Sequence, residues 1–223
     1  MSTAHKTFRG PRGAMILVTE RGLEKDPDLG KKIDSAITPG LQGGPHNATT
    51  AGIAIAAKEA AQPEFQDYAM RVRENADALA DSLKANGLKL VGDGTETHLM
   101  VIDLSEISPG LGVQVAYAMD VAGIYANRNT VPHEPGSPFY PAGVRLGTPL
   151  VTTRGMGGEE MKQIGEWMAR VVDIVKDKTL PEDKKERAKF IKEFRAQADA
   201  NKDLLAIRKE VTALASTFPL FKS

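Results

Sequence analysis

Residues 2–18 read STAHKTFRGPRGAMILV. Lys6 stands between a histidine and a threonine, and two glycines, a proline and two arginines follow within seven residues. Glycine lets backbone approach a ligand closely. A desolvated lysine, or one beside other cations, can act as an amine nucleophile and form an imine with a carbonyl. A solvated lysine beside a turn is the plainer alternative, and these residues alone leave both open. The run AMILVT (residues 14–19) follows a glycine and is mostly apolar, which predicts a short buried strand.

Outward from that stretch, the chain has 223 residues, enough for one large domain or two small ones. Hydrophobic residues make up 41%, so a core is affordable and disorder is not the default. Basic and acidic residues number 29 each, which argues against a general attraction to nucleic acid or anionic lipid. Cysteine is absent, which excludes disulfides and thiolate metal sites and fits a reducing compartment. No apolar stretch approaches the roughly 20 residues that span a membrane, and no signal-peptide core is present at the N-terminus. The expectation is a soluble cytoplasmic α/β protein that binds neither nucleic acid nor membrane.

Residues 24–37 are weakly helical, and TPGLQGGPHN (residues 38–47) is a loop. Asn47 is placed to cap an alanine-rich helix over residues 48–60. A second helix is predicted over residues 63–86, with Phe65, Ala69, Val72, Ala76, Leu79 and Leu83 in one stripe and Gly87 ending it. Thereafter LKLV and HLMVIDL read as strands around a GDGTET turn. Residues 113–122 read as a helix and GIYAN (residues 123–127) as a short strand. The segment NTVPHEPGSPFYPAG is a loop with four prolines, of the irregular kind that often lines sites. VRLGTPLVT reads as a strand or strand pair and residues 158–175 as a helix. A charge-dense, solvated helical stretch spans residues 176–202, and a last helix precedes the terminal FPLF. A domain boundary is expected near Gly87, dividing residues 1–86 from residues 87–223.

Two further groups are candidates for chemistry. Gly43 and Gly44 precede a helix N-terminus, where free N–H groups suit an anion, although a tight turn is the plainer explanation. Arg145 interrupts an apolar strand and needs a partner if buried; a structural carboxylate and a ligand carboxylate both fit. The four histidines, His5, His46, His98 and His133, have no metal-binding spacing, so no metal site is expected.

Taken in order, HKTFRGPRG, PGLQGGPHN, THLMVIDL and NRNTVPHEPGSPFYPAGVRLGTP strongly resemble serine hydroxymethyltransferase. The terminal FPLF looks like that family's closing motif. The resemblance runs through almost the whole chain. It implies the C-terminal part of a fold-type I pyridoxal-phosphate transferase, with an incomplete large domain followed by a small α/β C-terminal domain. The implied reaction converts serine and tetrahydrofolate to glycine and methylene-tetrahydrofolate.

Residue roles follow from the same resemblance. Lys6 matches the lysine that binds pyridoxal 5'-phosphate covalently, and Thr3 and His5 match polar residues beside it. Arg12 matches the arginine of the following turn. Gly43 and Gly44 match a glycine pair that reaches the cofactor phosphate of a neighbouring subunit, which implies a homodimer. Arg145 matches the arginine that grips the amino-acid carboxylate, and Asn129 a folate-contacting position. Thr38 and Thr97 depart from the residues common in relatives, phenylalanine and asparagine, which puts folate and substrate detail in question.

Relatives are about twice this length, so the chain is expected to correspond to their C-terminal half and to have little activity alone. It would then pair with itself or with a chain carrying the other half. A non-catalytic subunit or interaction module is the alternative. The retained Lys6, Gly43, Gly44 and Arg145 argue against it. Residues 1 to about 62 are expected to be poorly ordered, oligomeric or aggregation-prone in isolation, because a one- or two-stranded sheet remnant leaves edges unpaired.

Overall fold

The structure, a computed structural model, describes residues 1–220 of the 223. Phe221, the last residue of the FPLF motif, lies outside the described residues. The chain forms two compact units, Met1–Ala69 and a second from Met70 onward.

The first unit opens with a hairpin, β1 (Ser2–Thr3) against β2 (Ala14–Met15), antiparallel, with Ser2 opposite Met15 and Thr3 opposite Ala14. The strand expected over residues 14–19 is therefore two residues long. Ile16 and Leu17, expected to be buried, are 44% and 76% exposed. The reason is local: β1 is itself two residues long and is the one strand paired with β2 among the described residues, so the ladder stops at Met15.

Three short helical pieces follow: α1 (Glu20–Lys25), α2 (Leu29–Ser35) and a wide turn over Ala36–Leu41 broken by extended backbone at Thr38. Thr19 caps α1, accepting from Gly22 N at 3.3 Å. The alanine-rich helix α3 spans Asn47–Ala60. Asn47 lies inside its first turn, and no side chain caps it, contrary to the expected Asn47 cap. Helix α4 spans Pro63–Ala85. Near its start the buried side chain is Tyr68, while Ala69 of the expected stripe is exposed.

In the second unit the stripe holds: Val72, Ala76, Leu79 and Leu83 are all buried. Gly87 has φ +80°, and Leu88 N donates to Leu83 O at 3.0 Å, the left-handed helix ending that glycine adopts without strain. The sheet runs in the order β3 (Lys89–Leu90), β4 (Leu99–Asp103), β6 (Gly143–Gly147), β5 (Asn127–Asn129), antiparallel throughout. Strand alternation sends Met100, Ile102 and Val144 into the core.

Helices α5 (Gly112–Val121), α7 (Gly158–Val175), α8 (Lys184–Asp199) and α9 (Lys202–Thr217) complete that core. The charged α8 still buries Phe194 and Ala198. Two expectations change. GIYAN is not a strand; pairing begins at Asn127, where β5 meets Arg145 of β6. PLVT is helix, α6 (Pro149–Thr153), because Pro149 takes a first-turn position that needs no N–H.

Candidate functional site

In the first unit the hairpin loop presents Lys6. Lys6 O accepts from Arg9 N at 2.9 Å, closing a tight turn, and Arg9 takes the left-handed φ of 57°. Ala4, fully buried, donates to Gly13 O at 2.9 Å and accepts from Gly10 N at 2.7 Å. Helix α3 lies directly against this loop. A Cβ on Gly13 would stand 2.8 Å from Ile53 Cδ1, and one on Gly52 would stand 2.9 Å from Pro11 Cγ. Small residues on both sides thus allow the close approach. The Arg9 guanidinium sits 4.3 Å from the Tyr68 ring centre, and Phe8 packs on Phe65. The loop is held by backbone bonds, by α3 and by the first turn of α4.

On that frame Thr3, Lys6 and Arg12 are exposed and His5 is half-buried. His5 Nδ1 is buried without a hydrogen-bond partner among the described residues. Neither Lys6 nor Arg12 makes an ion pair among the described residues. Gly43 and Gly44 lie in the exposed loop leading to α3, and a Cβ on either would meet nothing within 4 Å. No contact within this unit demands glycine there.

In the second unit Arg145 occupies the centre of β6, opposite Val101 on one side and Asn127 on the other. Directly opposed residues share a sheet face, and so do residues two apart. Asn127, Asn129, Val101 and Arg145 therefore share the face turned away from Met100, Ile102 and Val144. Arg145 is half-buried, and among the described residues no carboxylate lies within ion-pair distance of it. Of the two partners its sequence left open, the structural carboxylate is not found. Gly143 allows the strands to close up, since a Cβ there would stand 2.6 Å from Asn129 O.

Three residues that the sequence did not single out shape this region. Glu134 organises the proline-rich loop: its carboxylate accepts from Gly136 N at 2.8 Å, Ala142 N at 3.0 Å and Val131 N at 3.2 Å. A lone acid among prolines and glycines is the signal that would have found it, because such a loop has backbone donors and few partners for them. Thr148, three residues past Arg145, donates to Val72 O at 2.8 Å. Asn75, buried in α4, donates to Thr152 Oγ1 at 2.8 Å and Met156 O at 2.9 Å.

A sequence profile of the family described as serine hydroxymethyltransferase matches residues 1–168. The chain belongs to the serine hydroxymethyltransferase family. A serine hydroxymethyltransferase of Acidothermus cellulolyticus is 53% identical over 175 residues, covering 78% of this chain and 39% of that protein. One from Phenylobacterium zucineum is 42% identical over 223 residues, covering 99% and 45%. A cytosolic one from Aspergillus fumigatus is 39% identical over 230 residues, covering 98% and 48%. The chain thus spans less than half the length of these serine hydroxymethyltransferases. The family consists of pyridoxal-phosphate-dependent transferases of fold type I, and the mixed α/β structure is compatible with that architecture. Among the described residues no helix is long and apolar enough to cross a membrane.

Proposed function

We propose that this chain supplies the lysine-bearing loop and the carboxylate-binding strand of a cytoplasmic serine hydroxymethyltransferase. The observation that carries the proposal is Arg145, a half-buried guanidinium at mid-strand with no carboxylate in ion-pair reach among the described residues. A planar, permanently charged fork in that setting suits the carboxylate of serine or glycine.

The residues present fit pyridoxal phosphate. Among the described residues His5 has a buried Nδ1 with no partner, Lys6 beside it is exposed and unpaired, and Gly43 and Gly44 leave open space. When bound, that group supplies an electron sink for carbon-bond chemistry on amino acids. Lys6 would hold it covalently, and Thr3 and His5 would line its pocket with Arg12 close by. Gly43 and Gly44 would offer backbone N–H groups to the phosphate of a neighbouring subunit. Arg145 would fix the orientation of the amino acid, and Asn129 would contact tetrahydrofolate. Assembly as a homodimer, or with a chain carrying the remaining part of the family's length, would complete the site. In this reading residues 1–86 act as part of the cofactor-binding domain and residues 87–223 as the small domain. By itself the chain would turn over little.

Cofactor capture tests this. The purified chain is mixed with near-stoichiometric pyridoxal phosphate, reduced with borohydride, digested and mapped by mass spectrometry. Modification confined to Lys6 is expected. Modification spread over many lysines, or none, would overturn the assignment.

A further inference from the structure

Behind the sheet face that carries Arg145 the second unit holds an apolar cavity of about 220 Å³. Its walls come from α7, α6, the C-terminal half of α9, the end of β6 and the segment that leads into β5. Trp167, Met161, Leu146, Val151 and Leu214 are among the residues that line it. Trp167 is 2% exposed and is the single tryptophan of the chain. Its indole N–H donates to Glu210 Oε2 at 2.7 Å, so the ring is fixed with one edge against α9 and the cavity at its side. The Arg154 guanidinium borders the cavity too, but it is committed elsewhere: Nε donates to Phe218 O at 2.7 Å and Nη2 to Ala215 O. Those two bonds hold down the last turn of α9, which forms one wall.

An apolar cavity of about 150 Å³ already takes up a benzene ring and stays dry otherwise. The present one is larger, opens toward solvent beside Tyr125 and Leu150, which are 80% and 63% exposed, and is lined mainly by aromatic, thioether and branched aliphatic groups. Thioether and indole surfaces favour contact with an aromatic ring. We propose that this cavity is a binding site for an uncharged single-ring aromatic compound. Strand β6 and the segment that leads into β5 give it a neighbour of interest. Leu146 and Ala126 line the cavity, and the residues adjoining them, Arg145 and Asn127, oppose each other on the sheet's far face. Cavity and open face therefore lie back to back across one layer of backbone.

Trp167 provides the readout. Iodobenzene, whose heavy atom quenches indole emission on contact, is titrated into the full 223-residue chain. Saturable quenching that is reversed by excess toluene is expected. Quenching that rises linearly without saturation, or that toluene does not reverse, would overturn the site. Two variants that fill the cavity, Val151→Phe and Ala215→Leu, are each checked for folding by circular dichroism and thermal unfolding. In whichever of them folds, the apparent affinity should fall at least tenfold. An unchanged affinity in a folded filled variant would overturn the proposal. If neither folds, the saturation and competition result on the unaltered chain decides it.

Discussion

The Thr148 hydroxyl donates to the Val72 carbonyl across 2.8 Å, and both residues are buried. The bond ties the end of β6, three residues past Arg145, to α4. Thr152 Oγ1 in turn donates to Thr148 O at 2.9 Å and accepts from Asn75 Nδ2, so the strand exit is held by a connected polar network. Thr148→Val keeps the shape and removes the donor. A buried hydrogen bond of this kind contributes about 1 kcal/mol, with more lost where an acceptor is left unsatisfied. The expected result is a loss of about 1–2 kcal/mol in urea unfolding followed by Trp167 emission, with Thr148→Ser close to the unaltered chain. Equal stability of all three proteins would show that the bond does not hold the strand.

Helices α4 and α7 meet where Gly165 faces Ser82. A Cβ on Gly165 would lie 2.3 Å from Ser82 Oγ and 2.7 Å from Ser82 Cβ. Ser82 cannot simply rotate away without loss, since its hydroxyl donates to Lys162 O at 2.8 Å. Alanine favours a helix over glycine by roughly 1 kcal/mol, yet the overlap costs more, on the order of 1–3 kcal/mol. Gly165→Ala should therefore destabilise the second unit despite its better propensity. Ser82→Gly in the same chain should recover part of the loss, which a double-mutant cycle of unfolding free energies measures.

These two contacts show what the sequence could and could not convey. The α4 stripe and its glycine stop were legible because both are local: four buried residues at helical spacing, then a left-handed residue. The motif order around Lys6 and Arg145 was legible as family likeness. Thr148, Asn75 and Glu134 were not, since their partners lie in other elements or in backbone whose path no periodicity encodes. The strand at AMILVT was overread for a related reason. Apolar character marks a strand's taste for burial, but pairing depends on a neighbour, and β1 offers two residues. PLVT is a second over-extended strand: the apolar run continues past Gly147, but Pro149 at a first-turn position starts a helix there.

The Glu210 carboxyl is held below the ordinary carboxylate value of 4.5, first by the hydrogen bond from Arg170 and then by that from Trp167. Arg170 is raised by the same contact, so both partners agree in direction. A folded-state value below the unfolded one means that the unfolded chain binds more protons in this window. The stabilisation is thus present above pH about 4.5 and is lost as pH falls through the lower folded value. Both side chains are partly exposed, at 49% and 42%, so solvent screening keeps the effect modest. In thermal unfolding the unaltered chain should lose its advantage over Glu210→Gln as pH drops below about 4.5, and added salt should shrink the difference at neutral pH. A gap independent of both pH and salt would mean that packing, not charge, links α7 to α9.

Arg9 follows the Lys6 turn with φ 57° and its guanidinium 4.3 Å from the Tyr68 ring centre. Left-handed backbone costs a non-glycine residue on the order of 1 kcal/mol, and an exposed cation–π contact returns about the same. The two substitutions separate these effects. Arg9→Ala keeps the backbone cost and removes the ring contact, whereas Arg9→Gly removes both. The amides of Ala4 and Gly10, bonded to Gly13 O and Ala4 O, report on the loop by hydrogen exchange. Exchange at both should rise roughly fivefold in Arg9→Ala, as expected for about 1 kcal/mol, and stay near the unaltered rate in Arg9→Gly. If the glycine variant exchanges as fast as the alanine variant, the ring contact and not the backbone geometry controls how firmly the turn presents Lys6.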